Sequence, residues 1–399
     1  MASIGLKPLL SASIILAVSY SNQLSGLLQI RSSMFDPDHF FPAKLLGVPR
    51  PTKRNYGLLL NLSNNELQHP RLDAIIDDFF AAAEVSWVSR YAYWPRLLGA
   101  VARHFDLPAE RVWISAGSDQ AIRVLIRLAA AAGRRLILQS PNYSTYTITA
   151  ATEGIAVDAV ASVRCSPEDE LEGLCAAARR PGQALVIVTN PHAVTGRLLA
   201  PDALAVLGTI CEEEGHLLAI DEAYVWFANS DHLPLLERFP NILLIRSFSK
   251  GFGMAGLRFA ALFASPQVVE YLARTRCMAE ISGPAAAFVE HCLPQRAIFV
   301  EIWRDVAQRR DETARVIGSF EVGWSCPASS ANFQLVETGA RRRAEKVVSG
   351  LERCGIAVRS LAGEPTLASC FRFTVAGDEA IGRLLDALTK LSVTKGRER

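Results

Sequence analysis

The sequence predicts a three-layer α/β fold with a mostly parallel sheet, followed by a smaller α+β domain. Short apolar runs recur along the chain without polar alternation, as is typical of strands that are covered on both faces. Helical patterns separate these runs, which favours parallel strands joined by helical crossovers. The chain has 399 residues, of which 50% are hydrophobic, so it can build a large core and divide into two domains.

Two N-terminal segments are predicted to precede the main domains, an extension at residues 1–34 and an arm at residues 35–70. The apolar run Leu9–Val18 resembles a weak signal peptide, but it is shorter than the ~20 residues of a spanning helix. A docking arm, or sequence upstream of a start at Met34, is the favoured interpretation of the extension. The arm is rich in proline, asparagine and aromatic residues without a periodic pattern, and is therefore predicted to be extended.

The predicted large domain spans residues 71–284 and alternates helices with strands. Gly133 follows the helix Asp119–Ala132, as glycine commonly does at a helix end. The other helices are predicted at Pro95–Phe105, Leu171–Arg179, Pro201–Glu214 and Gln267–Arg274. The strands are predicted at Arg111–Ser115, Arg135–Gln139, Ala156–Val160, Ala184–Thr189, His216–Ile220, Ile242–Ser247 and Arg258–Phe263.

The predicted small domain spans residues 285–399, where the pattern changes to α+β. Its first element is a long helical stretch that runs to Val316. The later helices are predicted at Arg341–Cys354 and Asp378–Leu391, and the strands at Glu321–Val322, Asn332–Val336, Ile356–Arg359 and Cys370–Val375.

Composition favours a small-molecule enzyme over a nucleic-acid-binding or membrane protein. Lysine and arginine total 42 against 40 acidic residues, so no excess positive charge would attract nucleic acid or an anionic membrane. The eight cysteines show neither Cys-x-x-Cys spacing nor a nearby histidine cluster, and no metal site is predicted. We interpret them as reduced thiols of a cytoplasmic enzyme, with export as the alternative because of the apolar N-terminal run.

Polar residues follow four of the predicted strands, at the edge where open α/β sheets bind ligands. Gly117, Ser118 and Asp119 open a helix whose free backbone N–H groups can bind a phosphate. The same pattern also occurs as an ordinary N-cap, so this signal is weak on its own. The other three groups are Asn190-Pro191, Asp221-Glu222-Ala223-Tyr224 and Ser247-Phe248-Ser249-Lys250.

Lys250 is the residue that most directly predicts catalysis. It lies between an apolar strand and the turn Gly251-Phe252-Gly253, where we expect it to be shielded from solvent. Desolvation and nearby cationic groups would lower its pKa and make the amine nucleophilic. Arg258 is available to bind a phosphate dianion. A surface lysine at a strand end is the alternative interpretation.

Taken together, the motifs resemble those of class I and II aminotransferases, and most closely the histidinol-phosphate aminotransferase branch. The similarity extends from Asn65-Glu66 to Arg372-Phe373-Thr374-Val375. It implies a fold of the aspartate-aminotransferase type, pyridoxal 5′-phosphate as the cofactor, small-molecule amino donors and acceptors, and a homodimer with a shared active site. The matching motifs are Ser118-Asp119, Asn190-Pro191 with Thr195-Gly196, Asp221-Glu222-Ala223-Tyr224, Ser247-Phe248-Ser249-Lys250 and Ala255-Gly256-Leu257-Arg258.

The resemblance also implies roles toward the cofactor. Lys250 would hold it as a Schiff base and move the substrate proton, while Asp221 would pair with the pyridine nitrogen and keep the ring an electron sink. Asn190 and Tyr224 would hydrogen-bond the phenolic oxygen, and Tyr143 would stack on the ring. The phosphate would be surrounded by Gly117, Ser118, Asp119, Ser247, Ser249 and Arg258, and by Tyr91 from the neighbouring subunit.

Toward the substrate, the resemblance implies that Arg372 and Arg359 bind a carboxylate or phosphate and that Asn332 and Asn65 lie nearby. Either arginine could instead be a surface residue of a strand. The stretch from Asn190 to Gly196 departs from the family's Asn-Pro-Asn-Asn-Pro-Thr-Gly pattern, and the loop at residues 276–282 departs from its Arg-Pro-Pro-Tyr-Asn-Val-Asn pattern. These departures favour a specialised relative over the histidine-pathway enzyme.

Two other functions remain open from the sequence. On the same scaffold the reaction could be decarboxylation, or oxidative deamination coupled to it, and His192 and Glu280 are the positions at which we expect the difference. A protein that binds the cofactor without catalysis is disfavoured, because both Lys250 and Asp221 are retained.

Overall fold

The computed structural model describes residues 42–48, 57, 59–276 and 279–393. The chain forms two compact units, Met1–Pro51 and Thr52–Arg399. The described part of the first unit contains a 3₁₀-helix at Ala43–Gly47, whereas the second contains the sheets and helices given below. The predicted extension at residues 1–34 lies outside the described residues. Both predicted domains fall within the second unit, and their boundary at residue 284 stays a prediction.

The described strands form one large sheet and two small ones. The strands are β1 (Leu60–Asn61), β2 (Val112–Ser115), β3 (Arg135–Ser140), β4 (Val157–Ala161), β5 (Ala184–Thr189), β6 (Leu217–Asp221), β7 (Ile242–Ser247), β8 (Ala260–Phe263), β9 (Phe333–Glu337), β10 (Ile356–Ala357), β11 (Arg359–Ser360) and β12 (Cys370–Thr374). The large sheet has the order β2-β8-β7-β6-β5-β3-β4, with β8 antiparallel to both neighbours and the other pairs parallel. The mostly parallel sheet predicted from the sequence is therefore confirmed.

Helices cover both faces of this sheet, because alternate side chains of each buried strand point to opposite sides. The helices are α1 (Pro70–Ala81), α2 (Ser86–Ser89), α3 (Trp94–His104), α4 (Ser118–Ala131), α5 (Ser144–Glu153), α6 (Pro167–Ala178), α7 (Pro201–Glu213), α8 (Leu235–Arg238), α9 (Phe248–Gly251), α10 (Pro266–Ala273), α11 (Gly283–Cys292), α12 (Arg296–Gly318), α13 (Arg341–Arg353) and α14 (Asp378–Val393). Leu185 and Ile187 of β5 share a core cluster with α4, α5 and α10, whereas Val186 and Val188 share another with α6 and α7.

Proline begins several of these helices, because its fixed φ suits the first turn and its missing N–H costs no hydrogen bond there. Pro70 begins α1, which is absent from the predicted helices, as is α5. The predicted start of α6 at Leu171 is too late, because Ser166 and Asp169 form a capping box ahead of it. Within the residues that the structure describes, every helix is too short or too polar to span a bilayer.

The C-terminal part of the chain forms the small sheets. Their pairings are β11-β12-β9, which is antiparallel, and β10 with β1, which is parallel. The strand predicted at Ile356–Arg359 is therefore two short strands with different partners. The strand predicted at Glu321–Val322 is wrong, because these residues form a turn in which Gly323 has a φ of +69°. The extended bridge forms instead at Ser325, opposite Glu337.

Candidate active site

Polar residues at the ends of several strands meet at one edge of the large sheet. β5, β6 and β7 are parallel, so Asn190, Asp221 and Ser247 lie at or just after their carboxyl ends. Since β2 and β7 are both antiparallel to β8, the helix α4 that follows β2 begins at the same edge. Open α/β sheets bind ligands there. The predicted residues at this edge are Gly117, Ser118, Asp119, Asn190, Asp221, Tyr224, Ser247, Ser249, Lys250 and Arg258.

Lys250 lies largely buried in the short helix α9, which the Ser247 hydroxyl caps. Its Nζ donates a hydrogen bond to the carbonyl oxygen of Asn64 at 2.7 Å. Burial, aided by the positive charge of Arg372, lowers the pKa of the amine to about 8, and the negative charge of Glu66 opposes this. More of the amine is therefore neutral near pH 8 than in an exposed lysine, as expected from the sequence.

The start of α4 and the Arg258 side chain form an anion cup, which we define by Gly117, Ser118, Ser249 and Arg258. Gly117 has a φ of +78°, and a Cβ at this position would lie 2.7 Å from Nη2 of Arg258. Arg258 donates hydrogen bonds to Ser249 Oγ at 3.2 Å and to Asp119 Oδ2 at 3.0 Å. A helix N-terminus, a guanidinium and hydroxyl groups in this arrangement can bind a phosphate dianion.

Asp221, the last residue of β6, is a buried carboxylate with two donors. The Tyr146 hydroxyl donates to its Oδ2, and the backbone N–H of Ala223 donates to its Oδ1 at 3.0 Å. Burial raises the pKa of Asp221 to about 6, although both hydrogen bonds lower it. A cationic ring nitrogen in this dry position would therefore gain a strong ionic partner. Tyr146 is absent from the predicted site residues, because it lies on the unpredicted helix α5.

Tyr143 exposes part of its ring beside the anion cup. Its hydroxyl donates to Asp119 Oδ1 at 2.9 Å, and its ring lies perpendicular to that of Tyr146 with 6.0 Å between centroids. The side chain is 41% exposed, so a planar ligand can reach the ring. Its stacking role stays a prediction.

Tyr224 joins the two asparagines that were predicted near the substrate. Its buried hydroxyl accepts a hydrogen bond from Asn65 Nδ2 at 2.9 Å. Asn65 has a φ of 55°, and its carbonyl oxygen accepts from Asn332 Nδ2 at 3.0 Å. The Asn332 Oδ1 atom is buried and has no hydrogen-bond partner among the described residues. These contacts join Tyr224, Asn65 and Asn332 into one buried hydrogen-bonded set.

Asn190 is fully buried and is hydrogen-bonded to the loop that follows it. Its Oδ1 accepts from the Leu199 backbone N–H at 2.8 Å, and its Nδ2 donates to the Leu199 carbonyl oxygen at 3.0 Å. The same nitrogen lies 3.4 Å from His232 Nε2. The side chain therefore positions this loop, and its contact with the cofactor's phenolic oxygen stays a prediction.

Arg372 and Arg359 lie directly opposite each other in β12 and β11. The Arg372 guanidinium packs 4.5 Å from the centre of the Phe333 ring, and its Nη1 donates to the Ala193 carbonyl oxygen at 2.7 Å. Its Nε has no partner among the described residues, and burial lowers the pKa of this guanidinium to about 10. Arg359 is exposed. Two cations with free N–H groups can bind an acidic group of a substrate.

Tyr91 is not part of this hydrogen-bonded set. It lies on the segment between α2 and α3, and its side chain is 87% exposed. Its predicted contribution to a neighbouring subunit stays a prediction.

His192 and Glu280 are held by groups of the chain itself. His192 Nε2 lies 3.0 Å from both Ser162 Oγ and the Pro141 carbonyl oxygen. Glu280 accepts hydrogen bonds from Arg276 and Gln120. Both side chains therefore stabilise loops in this structure. Among the described residues there is also no group of three side chains that could bind a metal ion.

Comparisons with known proteins agree with this geometry. Residues 59–388 match the family described as Aminotransferase class I and II. Histidinol-phosphate aminotransferase 1 of Bradyrhizobium diazoefficiens is 29% identical over 86% of this chain and 95% of its own length. The structure of histidinol-phosphate aminotransferase from Sinorhizobium meliloti in complex with pyridoxal-5′-phosphate has a TM-score of 0.76, 24% identity, and coverage of 88% and 97% of the two chains.

A decarboxylase has the same fold. L-threonine-O-3-phosphate decarboxylase from Porphyromonas gingivalis has a TM-score of 0.70 and 16% identity, and the match covers 83% of this chain and 99% of that one. This similarity establishes the shared architecture and says nothing about the reaction of this chain.

Proposed function

Because the chain belongs to the class I and II aminotransferase family, we propose that it moves an amino group between small molecules of which one carries a phosphate, with Lys250 as the base. The chain is a transaminase, and its cofactor is pyridoxal 5′-phosphate. The observation that carries the proposal is the largely buried amine of Lys250, whose pKa is lowered both by Arg372 and by Arg258 of the anion cup. The amine therefore lies within reach of two cationic sites for acidic groups.

The residues present fit pyridoxal phosphate. The anion cup suits its phosphate, and the absence of a side chain at Gly117 lets the Arg258 guanidinium approach the start of α4 closely. Asp221 suits the ring nitrogen, since a protonated pyridine would satisfy a carboxylate whose pKa burial has raised. The exposed ring of Tyr143 suits the pyridine face. When bound, the cofactor supplies an electron sink for the charge left at the substrate Cα.

Lys250 is proposed to move the proton between the substrate Cα and the cofactor. A pKa of about 8 suits this exchange, because catalysis by proton transfer is most efficient when the pKa lies near the working pH. The Asn64 carbonyl oxygen, which accepts from Nζ at 2.7 Å, orients the amine when it is free. The Tyr224 hydroxyl, held by Asn65, can donate to an oxygen near the same centre.

Arg372 and Arg359 are proposed to select a substrate with an acidic group. Arg372, whose Nε has no partner among the described residues, and the exposed Arg359 provide two positive charges on adjacent strands. A single carboxylate carries only one negative charge, so this pair suits a group with more charge, such as a phosphate. The named relatives act on histidinol phosphate, which supports a phosphate at this position. The Ala193 carbonyl that holds Arg372 belongs to the loop that departs from the family pattern, so the neighbouring group of the substrate is expected to differ.

We also propose a homodimer in which Tyr91 completes the anion cup of the neighbouring subunit. Its exposed ring, 87% accessible, is available to a second copy of the chain. A reducing compartment such as the cytoplasm suits the chain, because the seven cysteines that the structure describes are all free thiols.

The proposal is tested with purified holoenzyme and candidate donors, including histidinol phosphate and glutamate. We expect the absorbance of the cofactor to change from its aldehyde form to its amine form, and a keto acid to restore the aldehyde form. Carbon dioxide release or oxygen consumption with the same donors would replace transamination with the decarboxylation alternative.

Lys250→Ala is expected to abolish turnover, because it removes both the covalent attachment point and the base. Proton transfer alone contributes about 10²–10⁴-fold to a rate. Borohydride should fix the cofactor to the unmodified chain and leave the variant unlabelled. A variant that retained a near-normal rate would refute the assignment of Lys250.

A further inference from the structure

A cavity of about 820 Å³ lies next to α9, on the side formed by α12. Its walls are one face of α12, the end of α3 with the residues that follow it, and the loop after β6. Small-molecule sites commonly have volumes of roughly 300–1,000 Å³. None of the residues assigned to the cofactor or substrate lines this cavity. It is therefore large enough for a second ligand.

Aromatic rings form a continuous wall of the cavity. The centroids of Trp226 and Trp303 are 4.9 Å apart, and those of Phe105 and Trp226 are 6.2 Å apart. The Arg246 guanidinium lies 5.2 Å from the Phe105 ring and 5.6 Å from the Trp226 ring. An aromatic wall of this kind favours contact with a ligand that carries a planar ring.

Some of the positive charges around the cavity are neutralised by ion pairs and others are not. Arg246 is neutralised by two carboxylates, Glu222 at 2.8 Å and Asp231 at 2.7 Å. Arg296 and Arg304, which project from α12, have no ion pair with a carboxylate among the described residues, and Asp106 is the remaining acid of the wall. His104 adds no charge at neutral pH, because burial and Arg296 lower its pKa to about 4.

Both tryptophans of the wall hold the backbone on either side of Lys250. Trp226 Nε1 donates to the Ser247 carbonyl oxygen at 3.0 Å, and Trp303 Nε1 donates to the Gly251 carbonyl oxygen at 2.6 Å. A Cβ on Gly251 would lie 2.4 Å from the Trp226 ring, so the indole packs directly on this turn. A ligand that moved either ring would therefore move the helix that carries Lys250.

We propose that this cavity binds a small organic anion with a planar ring, with its acidic group on Arg296 or Arg304, and that binding changes the environment of Lys250. The binding itself does not depend on the proposed function, whereas the effect on Lys250 rests on it.

The binding is tested by titration calorimetry of the holoenzyme with 1-naphthyl phosphate as the probe. We expect binding in addition to any at Arg372 and Arg359, and only this additional affinity should fall about tenfold in the double variant Arg296→Gln/Arg304→Gln, because charge-assisted contacts are lost. The matched control, Arg341→Gln/Arg342→Gln on α13, removes the same charge from a distant exposed helix and should bind normally. Cyclohexyl phosphate, which lacks the planar ring, should bind more weakly.

Equal affinity in the two double variants, or no binding at millimolar probe, would overturn the site. Repeating the titration with cofactor-free chain separates this result from the proposed function. If the chain failed as a transaminase, the cavity would still have to bind the probe.

The effect on Lys250 is tested by the pH titration of the absorbance of the bound cofactor. We expect the midpoint to shift when the probe is saturating, and to shift less in Trp303→Phe, which keeps an aromatic side chain but removes the bond to Gly251 while Trp226 stays in place. The variant should still bind the probe. A midpoint that saturating probe leaves unchanged in the unmodified chain would overturn the effect on Lys250.

Discussion

At the scale of single residues, the site depends on ionisable side chains that are buried near charges of their own sign. Lys250 and Asp221 both lie at strand ends, and each has a pKa moved toward neutrality by burial. The amine and the carboxylate therefore exchange protons more readily than they would at the surface. Their nearest partners, Asn64 and Tyr146, come from parts of the chain remote in sequence.

The lowered pKa of Lys250 predicts how stability depends on pH in the cofactor-free chain. Below about pH 8 the folded chain carries a buried charged amine, which costs free energy, and this cost disappears as the pH rises toward the ordinary value of 10.5. Lys250→Met should therefore stabilise the cofactor-free chain at pH 7 by at most about 3 kcal/mol.

Chemical unfolding of both proteins between pH 7 and pH 10.5 measures this effect. The gain from Lys250→Met should shrink across the range, because the amine of the unmodified chain becomes neutral in both states. Lys346→Met on α13 is an exposed control that should show no such trend. A gain that does not vary with pH would show that the amine is not desolvated.

Tyr146→Phe is predicted to weaken cofactor binding. The Tyr146 hydroxyl stabilises the ionised form of Asp221, so its removal should raise the pKa of that carboxylate further and leave a buried oxygen unsatisfied. A lost bond of this kind costs about 1–3 kcal/mol, which corresponds to roughly 5- to 160-fold in affinity. Cofactor titration of the apoenzyme, followed by absorbance, measures the change.

Tyr271→Phe is the matched control, since this tyrosine is 71% exposed on α10. It should bind the cofactor as the unmodified chain does. Unchanged affinity in Tyr146→Phe would mean that the backbone N–H of Ala223 alone suffices to hold Asp221.

At the scale of elements, strands were predicted better than helices. β5 and β7 have the predicted bounds. Both are apolar on two faces, so the local sequence alone is enough to predict them. The helix α5, with the sequence Ser144–Glu153, is rich in threonine and serine, which are weak helix formers, and shows little amphipathic pattern. It is stabilised by packing against the sheet, which the local sequence does not reveal.

The site residues divide in the same way, into those with a local sequence pattern and those defined only by a distant contact. The rule that ligands bind at strand ends predicted Lys250, Asp221 and the start of α4 as site residues, because each follows an apolar run, and the structure places them at one edge of the large sheet. Tyr146 escaped prediction, since its contact with Asp221 joins a helix to a strand 75 residues away. Contacts of this kind follow from the topology of the sheet and leave no local pattern in the sequence.

Gly117→Ala tests the anion cup as a feature of the start of α4. The added Cβ would meet the Arg258 guanidinium, and alanine at a φ of +78° is strained. We expect a loss of stability of about 1 kcal/mol from strain, together with weaker cofactor binding because Arg258 must move. Thermal unfolding with and without cofactor measures both effects.

Gly133→Ala provides the control for this variant. Gly133 has a similar φ of +67°, but a Cβ there would meet nothing within 4 Å. It should therefore lose some stability through its positive φ, without the clash, and keep its cofactor affinity. Equal cofactor affinity in both variants would refute the anion cup.

At the scale of the whole molecule, the site joins segments from both ends of the larger unit. Asn65 donates its backbone N–H to Thr374 Oγ1 at 2.9 Å across a separation of 309 residues. The proposed dimer extends this arrangement to a second chain through Tyr91.

Mixed dimers test the shared site. Lys250→Ala and Tyr91→Ala subunits should each be weakly active alone, but a hybrid dimer would keep one intact site. Purification through two different tags selects the hybrid dimers, in which one of two sites is intact, so about half of the full activity should return. Activity after co-expression and purification through two different tags measures this.

Lys250→Ala mixed with Asp221→Ala is the control, because both residues belong to the same subunit's site and no intact site can form. Failure of the Tyr91 mixture to regain activity would place Tyr91 outside the neighbouring site and leave the remaining assignments unaffected.

The pairing of β1 with β10 has a consequence for synthesis on the ribosome. Leu60 emerges early, yet its strand partner Ile356 is translated almost three hundred residues later. Until then β1 lacks the strand that pairs with it, and the Asn65 N–H lacks its acceptor on Thr374. The nascent chain can assemble its central sheet first, and it acquires a competent catalytic centre only in the last stage of its production.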